Sequence, residues 1–123
     1  MYSASLDSCS ILVCEDEPLI ALDVANAFTN AGARVVTVRS LAQAFMVVED
    51  DAPSVVILDH ALRTGESSQL CERLKEQNIP YVFHRGYPNS GGASDYELSV
   101  SERAAAGLLV TVVEGLLRNR RAH

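Results

Sequence analysis

Acidic residues follow two apolar segments of the sequence, at the point where each segment ends. Glu15 and Asp16 come after the first segment, and Asp59 comes directly after the second. If both segments are parallel strands of one open α/β sheet, their carboxyl ends meet at the edge where such sheets bind ligands. Carboxylates gathered there repel one another unless a cation joins them. The sequence therefore predicts a cation site at this edge of the sheet.

A divalent ion and a phosphoryl group suit these residue types. Mg²⁺ prefers one or two carboxylates together with waters and a phosphate oxygen. An Asp beside such an ion can attack phosphorus and form an aspartyl-phosphate, because the metal offsets charge on the carboxylate and on the phosphoryl oxygens. Asp59 would be the nucleophile, and Asp16 and Glu15 would hold the metal together with it. The backbone carbonyl of Ala61 could complete the coordination.

A structural explanation competes with this chemistry. Acidic residues that follow a strand often cap the next helix, where the helix dipole favours negative charge. This explanation suits Glu15 or Glu17 taken singly. It suits Asp16 and Asp59 together less well, because each stands at the end of a different strand.

Short apolar runs alternate with amphipathic stretches in the first two thirds of the chain. Strands are predicted at residues 10–14, 34–38, 54–58 and 81–84. Helices are predicted between them, the first from Pro18 to Gly32, the second after a capping pair of Ser40 and Gln43, and the third near residues 67–77. Short connections between such units require right-handed crossovers, which predicts an α/β fold with a doubly wound parallel sheet.

The last third of the chain is less regular. Residues 86–94 have the composition of a loop, and residues 95–100 fit either a short strand or a stub of helix. From Ser101 onward a broad apolar face at helical spacing predicts a final helix. The region between the fourth strand and the last helix is therefore shortened relative to a full αβ unit.

Length and composition indicate one domain over residues 1–123, with residues 1–9 as an N-terminal extension and residues 118–123 as a basic tail. The net charge of −6 argues against nucleic-acid binding, and the tail most simply complements the negative end of the last helix. No apolar run is long enough to span a membrane, and the first residues do not resemble a signal peptide. The three cysteines form no CxxC pair and are odd in number, so they indicate neither a disulfide framework nor a zinc site. We therefore expect a protein of the reducing cytoplasm.

Two segments resemble the receiver domain of bacterial response regulators. These are VCEDEPLIALDV and VVILDHALRTGESSQLCERLKEQNIPYVFHRGY, and the resemblance covers about residues 10–87 and, loosely, the final helix. The chain is similar to a single-domain subgroup, common in alphaproteobacteria, whose fourth strand ends in Phe-x-Thr-Gly-Tyr. The matching residues here are Phe83, His84, Arg85, Gly86 and Tyr87. The resemblance implies a flavodoxin-like (CheY-like) fold, phosphorylation of Asp59 with Mg²⁺, and a histidine kinase or histidine phosphotransfer protein as partner.

Two positions depart from the family pattern. Arg85 replaces the hydroxyl residue that in the family hydrogen-bonds the phosphoryl group and relays its presence. The family's Lys-Pro after the fifth strand does not occur in this sequence, whose one lysine is Lys75. The Arg85 guanidinium could supply the lost positive charge, or it could point to solvent with its stem packed on the surface. His60 and His84 flank the pocket and could assist proton transfer, although histidines at strand ends are more often packed or exposed.

The sequence raises three possible functions. The first is a signalling module that is phosphorylated on Asp59, and the second is a degenerate receiver that binds proteins without phosphorylation, with Arg85 paired to Asp59 or Asp16. An enzyme is not expected, because the EDEP loop would repel a flavin phosphate and Ala61 stands where a phosphohydrolase needs a second acid. The downstream partner is not specified by the sequence, and any surplus apolar face of the last helix would suit a dimer.

Overall fold

A computed structural model of the chain describes residues 6–59, 65–85, 97–99 and 102–121, with the backbone alone for residues 65, 66, 84, 85, 97–99, 102–108 and 119–121. Five strands form one parallel sheet in the order β2-β1-β3-β4-β5. They are β1 (Ser10–Cys14), β2 (Arg34–Val38), β3 (Val55–Asp59), β4 (Tyr81–Arg85) and β5 (Glu97–Ser99). The strand order reverses between β1 and β3, which is the switch point where such sheets bind ligands.

Four helices are described. They are α1 (Pro18–Asn30), α2 (Leu41–Asp50), α3 (Gly65–Glu76) and α4 (Glu102–Arg121). Pro18 begins α1, and Gly32 follows its end with a φ of 98°, a backbone conformation that side chains rarely adopt. Ser40 caps α2 by accepting a hydrogen bond from the Gln43 amide at 3.2 Å. The Gln43 side chain accepts from the Arg39 amide at 2.8 Å, one residue before the position that a capping box uses.

The α/β fold and its doubly wound parallel sheet are confirmed. The four predicted strands each agree with an observed strand to within one residue, and α3 begins at Gly65, two residues before the predicted start. The open alternative at residues 95–100 is settled by β5, which pairs with β4 in parallel. Residues 86–94, predicted as a loop, lie outside the described residues.

The core has two layers, one on each face of the sheet. Alternate residues of a strand face opposite sides, so Leu12 packs with α2 and α3 whereas Ile11 packs with α1 and α4. The central strands β1 and β3 are buried on both faces along most of their length, as their continuous apolar runs predict. Within the described residues, no helix has the length and hydrophobicity needed to cross a membrane.

Part of the predicted N-terminal extension belongs to the core. Leu6 is 1 % exposed and Cys9 is 5 % exposed, and both pack in the layer that contains α1 and α4. The Leu6 amide donates to the Ala31 carbonyl at 2.9 Å, which ties this segment to the end of α1. Two isolated apolar residues before a strand carry no periodicity, and for this reason the sequence pattern did not reveal their burial.

Candidate functional site

Three carboxylates meet at the carboxyl end of the sheet. Glu15 and Asp16 follow β1, and Asp59 is the last residue of β3. The two strands are adjacent, with Cys14 in register with Leu58, so the residues that follow lie side by side. One carboxylate oxygen of each of the three residues lies within 4.8 Å of the others. The structure thus brings together the acidic residues that the sequence selected.

The three carboxylates differ in exposure. Asp16 is exposed, Asp59 is partly buried, and Glu15 is only 4 % exposed. Oε2 of Glu15 accepts a hydrogen bond from the Glu17 amide at 3.0 Å. Its Oε1 is buried and accepts no hydrogen bond from the described residues. When Glu15 is protonated, it can donate that proton to Asp59, which contributes to its raised pKa. A buried carboxylate oxygen without a donor is costly.

The pKa of Glu15 is raised to about 7, mainly by burial and in smaller part by the charges of Asp59 and Asp16, while the hydrogen bond from the Glu17 amide opposes the rise. Near neutral pH this carboxyl group is therefore divided between its acid and its carboxylate form. Burial, followed by the charge of Glu15, raises the pKa of the neighbouring Cys14 thiol to about 12. Cys14 therefore remains a neutral thiol and does not compete as a nucleophile.

The donor set fits a hard divalent cation. Oxygen ligands from carboxylates are what Mg²⁺ prefers, and a cation would relieve both the mutual repulsion of the three groups and the unpaired Oε1 of Glu15. Glu15, Asp16 and Asp59 are the described residues that could hold such an ion. The Ala61 carbonyl, predicted as a further ligand, lies outside the described residues.

Glu17 has a different role from its two neighbours. It is the N-cap of α1, and its side chain accepts from the Leu19 amide at 3.4 Å. The capping explanation weighed for Glu15 or Glu17 therefore describes Glu17, whereas Glu15 points into the carboxylate cluster.

Arg39 is a residue near the site that the sequence analysis did not select. It directly follows β2, and its guanidinium Nη2 donates to the backbone carbonyl of Asp16 at 3.4 Å. Its own amide is held by Gln43. The same rule that selected Asp59, namely a charged residue at the carboxyl end of a strand, would have found Arg39 if applied to the second strand.

The other predicted site residues are only partly described. His84 and Arg85 end β4, where His84 is in register with Asp59 and Arg85 with Ser99. The side chains of both residues lie outside the described part of the structure. His60 and Tyr87 also lie outside it.

Comparison with known proteins identifies the family. The family model described as the response regulator receiver domain matches residues 11–87. The structure is similar to SdrG from Pseudomonas melonis Fr1, solved in a BeF3-activated conformation, with 30 % identity, a TM-score of 0.69, and coverage of 94 % of this chain and 99 % of that one. No match was found among curated protein sequences.

Two further structures share the fold at lower identity. One is the N-terminal domain of a response regulator/sensory box/GGDEF three-domain protein from Carboxydothermus hydrogenoformans, with 23 % identity, a TM-score of 0.75, and coverage of 92 % of this chain and 97 % of that one. The other is the response regulator PhyR from Brucella abortus, with 21 % identity, a TM-score of 0.71 and coverage of 97 % of this chain. The chain spans 52 % of that PhyR and 47 % of a second PhyR structure, so it matches about half of their length. The chain belongs to the response regulator receiver domain family, and its fold is CheY-like.

Proposed function

We propose that this receiver domain takes part in a two-component phosphorelay and accepts a phosphoryl group on Asp59. The donor is a phosphohistidine of a histidine kinase or histidine phosphotransfer protein. One observation carries the proposal: Asp59 lies within 4.8 Å of the Glu15 and Asp16 carboxylates, at the switch point of a receiver fold. The structure of SdrG, which is similar to this chain, gives further support. It was solved in a BeF3-activated conformation, and BeF3 imitates a phosphoryl group bound to a carboxylate.

The transfer exchanges one bond to phosphorus for another. A carboxylate oxygen of Asp59 forms a bond to phosphorus as the donor's nitrogen–phosphorus bond breaks, and the electron pair of that bond stays on the imidazole nitrogen. A divalent cation, when bound, offsets the negative charge of the phosphoryl group and the carboxylates. Glu15 and Asp16 are the residues that would hold it beside Asp59. We propose Mg²⁺ as this ion, because it favours oxygen ligands.

The surface beside the acidic cluster suits a protein donor. Leu19 is 75 % exposed and Leu22 is 57 % exposed, and both lie on α1, which begins directly after the Glu15–Glu17 loop. A phosphohistidine must come within bonding distance of Asp59, and we propose that its protein covers this part of α1 when it does so. Exposed leucines there provide an apolar contact for such a partner.

Arg85 is proposed to supply the positive charge that the family takes from its lysine. It ends β4, the strand next to β3, and β3 carries Asp59 at its own end. A guanidinium can bind phosphoryl oxygens with two parallel hydrogen bonds. Arg85→Thr should change the rate at which the acyl-phosphate forms or the lifetime of the acyl-phosphate. If both quantities are unchanged, Arg85 does not have this role.

A second candidate function rests on the same residue. Arg85 in place of the family's hydroxyl residue, together with the lost Lys-Pro, favours a receiver that binds its partner without phosphorylation. In this alternative the domain is a protein-binding module with one fixed conformation. Both candidates are signalling roles rather than enzymatic ones. For either role we propose a location in the reducing cytosol, which the three free, buried cysteines suit.

Intact mass measurement distinguishes the two candidates. The protein is incubated with phosphoramidate and Mg²⁺, and in a separate reaction with its phosphorylated kinase. A phosphoryl mass gain that is lost in Asp59→Asn and in EDTA, but retained in the control Asp51→Asn, is the result that we expect. A gain that persists in Asp59→Asn would overturn the assignment of Asp59. Failure of both donors would favour the binding module.

A further inference from the structure

A groove of about 720 Å³ lies between α2 and the edge of the sheet. Its walls come from the first residues of β1, from β2, from the second half of α2 and from the segment before β3. Ser10 lines the groove at the amino end of β1, whereas Glu15 follows the carboxyl end of the same strand. The groove is therefore separate from the acidic cluster, and the proposed phosphorylation does not use it.

The groove exposes apolar side chains that the fold leaves uncovered. Val36 is 44 % exposed and Met46 is 71 % exposed, and these are two of the four exposed large hydrophobic residues in the described part of the chain. Val36 is in register with Leu12, so both face the same side of the sheet. Leu12 is buried and so is Val38 at the carboxyl end of β2, yet Val36 is not, so α2 covers the end of the edge strand β2 and leaves its middle exposed.

The rim of the groove is acidic. Glu49, Asp50 and Asp51 follow one another at the end of α2, and no Lys, Arg or His is among the described residues that line the groove. Glu49 is already paired, because Arg73 donates to its two carboxylate oxygens at 2.6 and 3.0 Å. Asp50 and Asp51 are exposed and leave the rim negative.

The position of these charges is unfavourable for the helix itself. The carboxyl end of a helix carries partial negative charge and favours cationic side chains, yet the last turn of α2 has no basic residue. Asp50 and Asp51 therefore stand where they weaken α2. A binding role for these two charges explains their placement, whereas local helix stability does not.

We propose that the groove binds a basic amphipathic helix of a partner protein. The helix would lie beside α2 over β2 and extend the helical layer by one member, with its apolar stripe on Val36 and Met46. Lysines or arginines at the border of that stripe would meet Asp50 and Asp51. The exposed apolar side chains of the groove favour an amphipathic partner, and the negative charges of Asp50 and Asp51 favour a basic one.

The test uses two synthetic helical peptides that share one leucine stripe at i, i+3, i+4 and i+7 spacing. Lysines flank the stripe in the first peptide and glutamates in the second. Binding to the ¹⁵N-labelled full chain is followed by NMR and by fluorescence anisotropy. We expect the basic peptide to shift the amides of Val36, Met46 and Asp50. We also expect Met46→Asp and the double change Asp50→Lys with Asp51→Lys each to weaken it about tenfold or more.

The same double change provides a second readout. It should raise the melting temperature, because lysines suit the end of α2, while it weakens binding of the basic peptide. Two controls change charge on other helices. Asn26→Asp on α1 adds one negative charge, as Met46→Asp does, and Glu72→Lys on α3 makes one of the two charge reversals of the double change; both should bind the basic peptide as the unchanged chain does.

Three results would overturn the proposal. The acidic peptide could bind as tightly as the basic one, which would remove the role of Asp50 and Asp51. The shifted amides could map to α1 instead of the groove. Sedimentation could show a dimer that Met46→Asp converts to a monomer, in which case a second copy of the chain occupies the groove.

Discussion

Glu15 is the residue on which the energetics of the site depend. The residue is 4 % exposed, and its Oε1 has no donor among the described residues. The sequence could predict that Glu15 belongs to the site, because this acidic residue directly follows a predicted strand. Its burial could not, because burial depends on how the loop after β1 packs against β3 and the start of α1.

The burial of Glu15 predicts an unusual dependence of stability on pH without metal. The pKa of Glu15 rises from an ordinary value of 4.5 to about 7 in the folded chain, so between these pH values the folded state holds a proton that the unfolded state has lost. The free energy of unfolding should therefore fall as pH rises through this window. We expect urea unfolding in EDTA to show that Glu15 costs about 1 to 3 kcal/mol at pH 8 relative to pH 5.

Glu15→Gln isolates this effect. The amide keeps an acceptor for the Glu17 N–H and carries no charge, so the variant should exceed the unchanged chain in stability at pH 8 and approach it at pH 5. The matched control Glu72→Gln, at an exposed position of α3, should track the unchanged chain at both pH values. Equal pH dependence in Glu15→Gln and the unchanged chain would contradict the assigned pKa of Glu15.

Mg²⁺ should stabilise the folded chain, and more strongly at pH 8 than at pH 5. The ion competes with the proton on Glu15, so its apparent affinity increases as that group ionises. At a concentration of one hundred times Kd the expected gain is about 2.7 kcal/mol. Asp16→Asn removes one carboxylate of the cluster and should reduce the gain, as thermal unfolding with and without Mg²⁺ would show. An equal gain in Asp16→Asn would remove Asp16 from the ion site.

At the scale of elements, α1 joins the acidic cluster to the surface where the proposed donor docks. Leu19→Asp and Leu22→Asp place a charge on that surface without entering the core. We expect each change to slow phosphotransfer from the kinase about tenfold, while phosphorylation by phosphoramidate stays unchanged. Asn26→Asp on the same helix is the matched control. If both donors slow equally, the leucines act on the site itself and not on docking.

The segment before β1 provides a test of the core. Leu6 is 1 % exposed, so Leu6→Ala should lower the free energy of unfolding by about 2 to 4 kcal/mol. Leu19→Ala, at an exposed position, should change it by less than about 0.5 kcal/mol. Equal small effects of the two changes in urea unfolding would show that residues 6–9 are an extension, as the sequence pattern had indicated.

Elements with strong patterns could be predicted, and those with weak patterns could not. β1 and β3 are continuous apolar runs of a buried parallel strand, and Ser40 with Gln43 marks the start of α2. β5 has three residues, too few to show a period, so only its pairing with β4 identifies it as a strand. The sequence pattern also did not predict that α3 begins as early as Gly65, because the first residues of this helix are not apolar.

At the scale of the whole molecule, the topology could be deduced from the alternation of strands and helices. Parallel strands with short crossovers leave few arrangements, and the order β2-β1-β3-β4-β5 brings residues 15, 16 and 59 together from distant parts of the sequence. The groove beside α2 could not be deduced in this way. It exists because α2 covers Leu12 and leaves Val36 exposed, which depends on where the helix packs.

Chemical mapping of the phosphorylated residue tests the central claim most directly. Borohydride reduces an aspartyl-phosphate to homoserine, which marks the modified position in peptide mass spectra. After reaction with a phosphodonor and Mg²⁺, we expect homoserine at position 59 alone, and none when EDTA replaces the metal. Homoserine at another aspartate, or its formation at position 59 regardless of the metal, would contradict the account of a phosphoacceptor held beside a divalent cation.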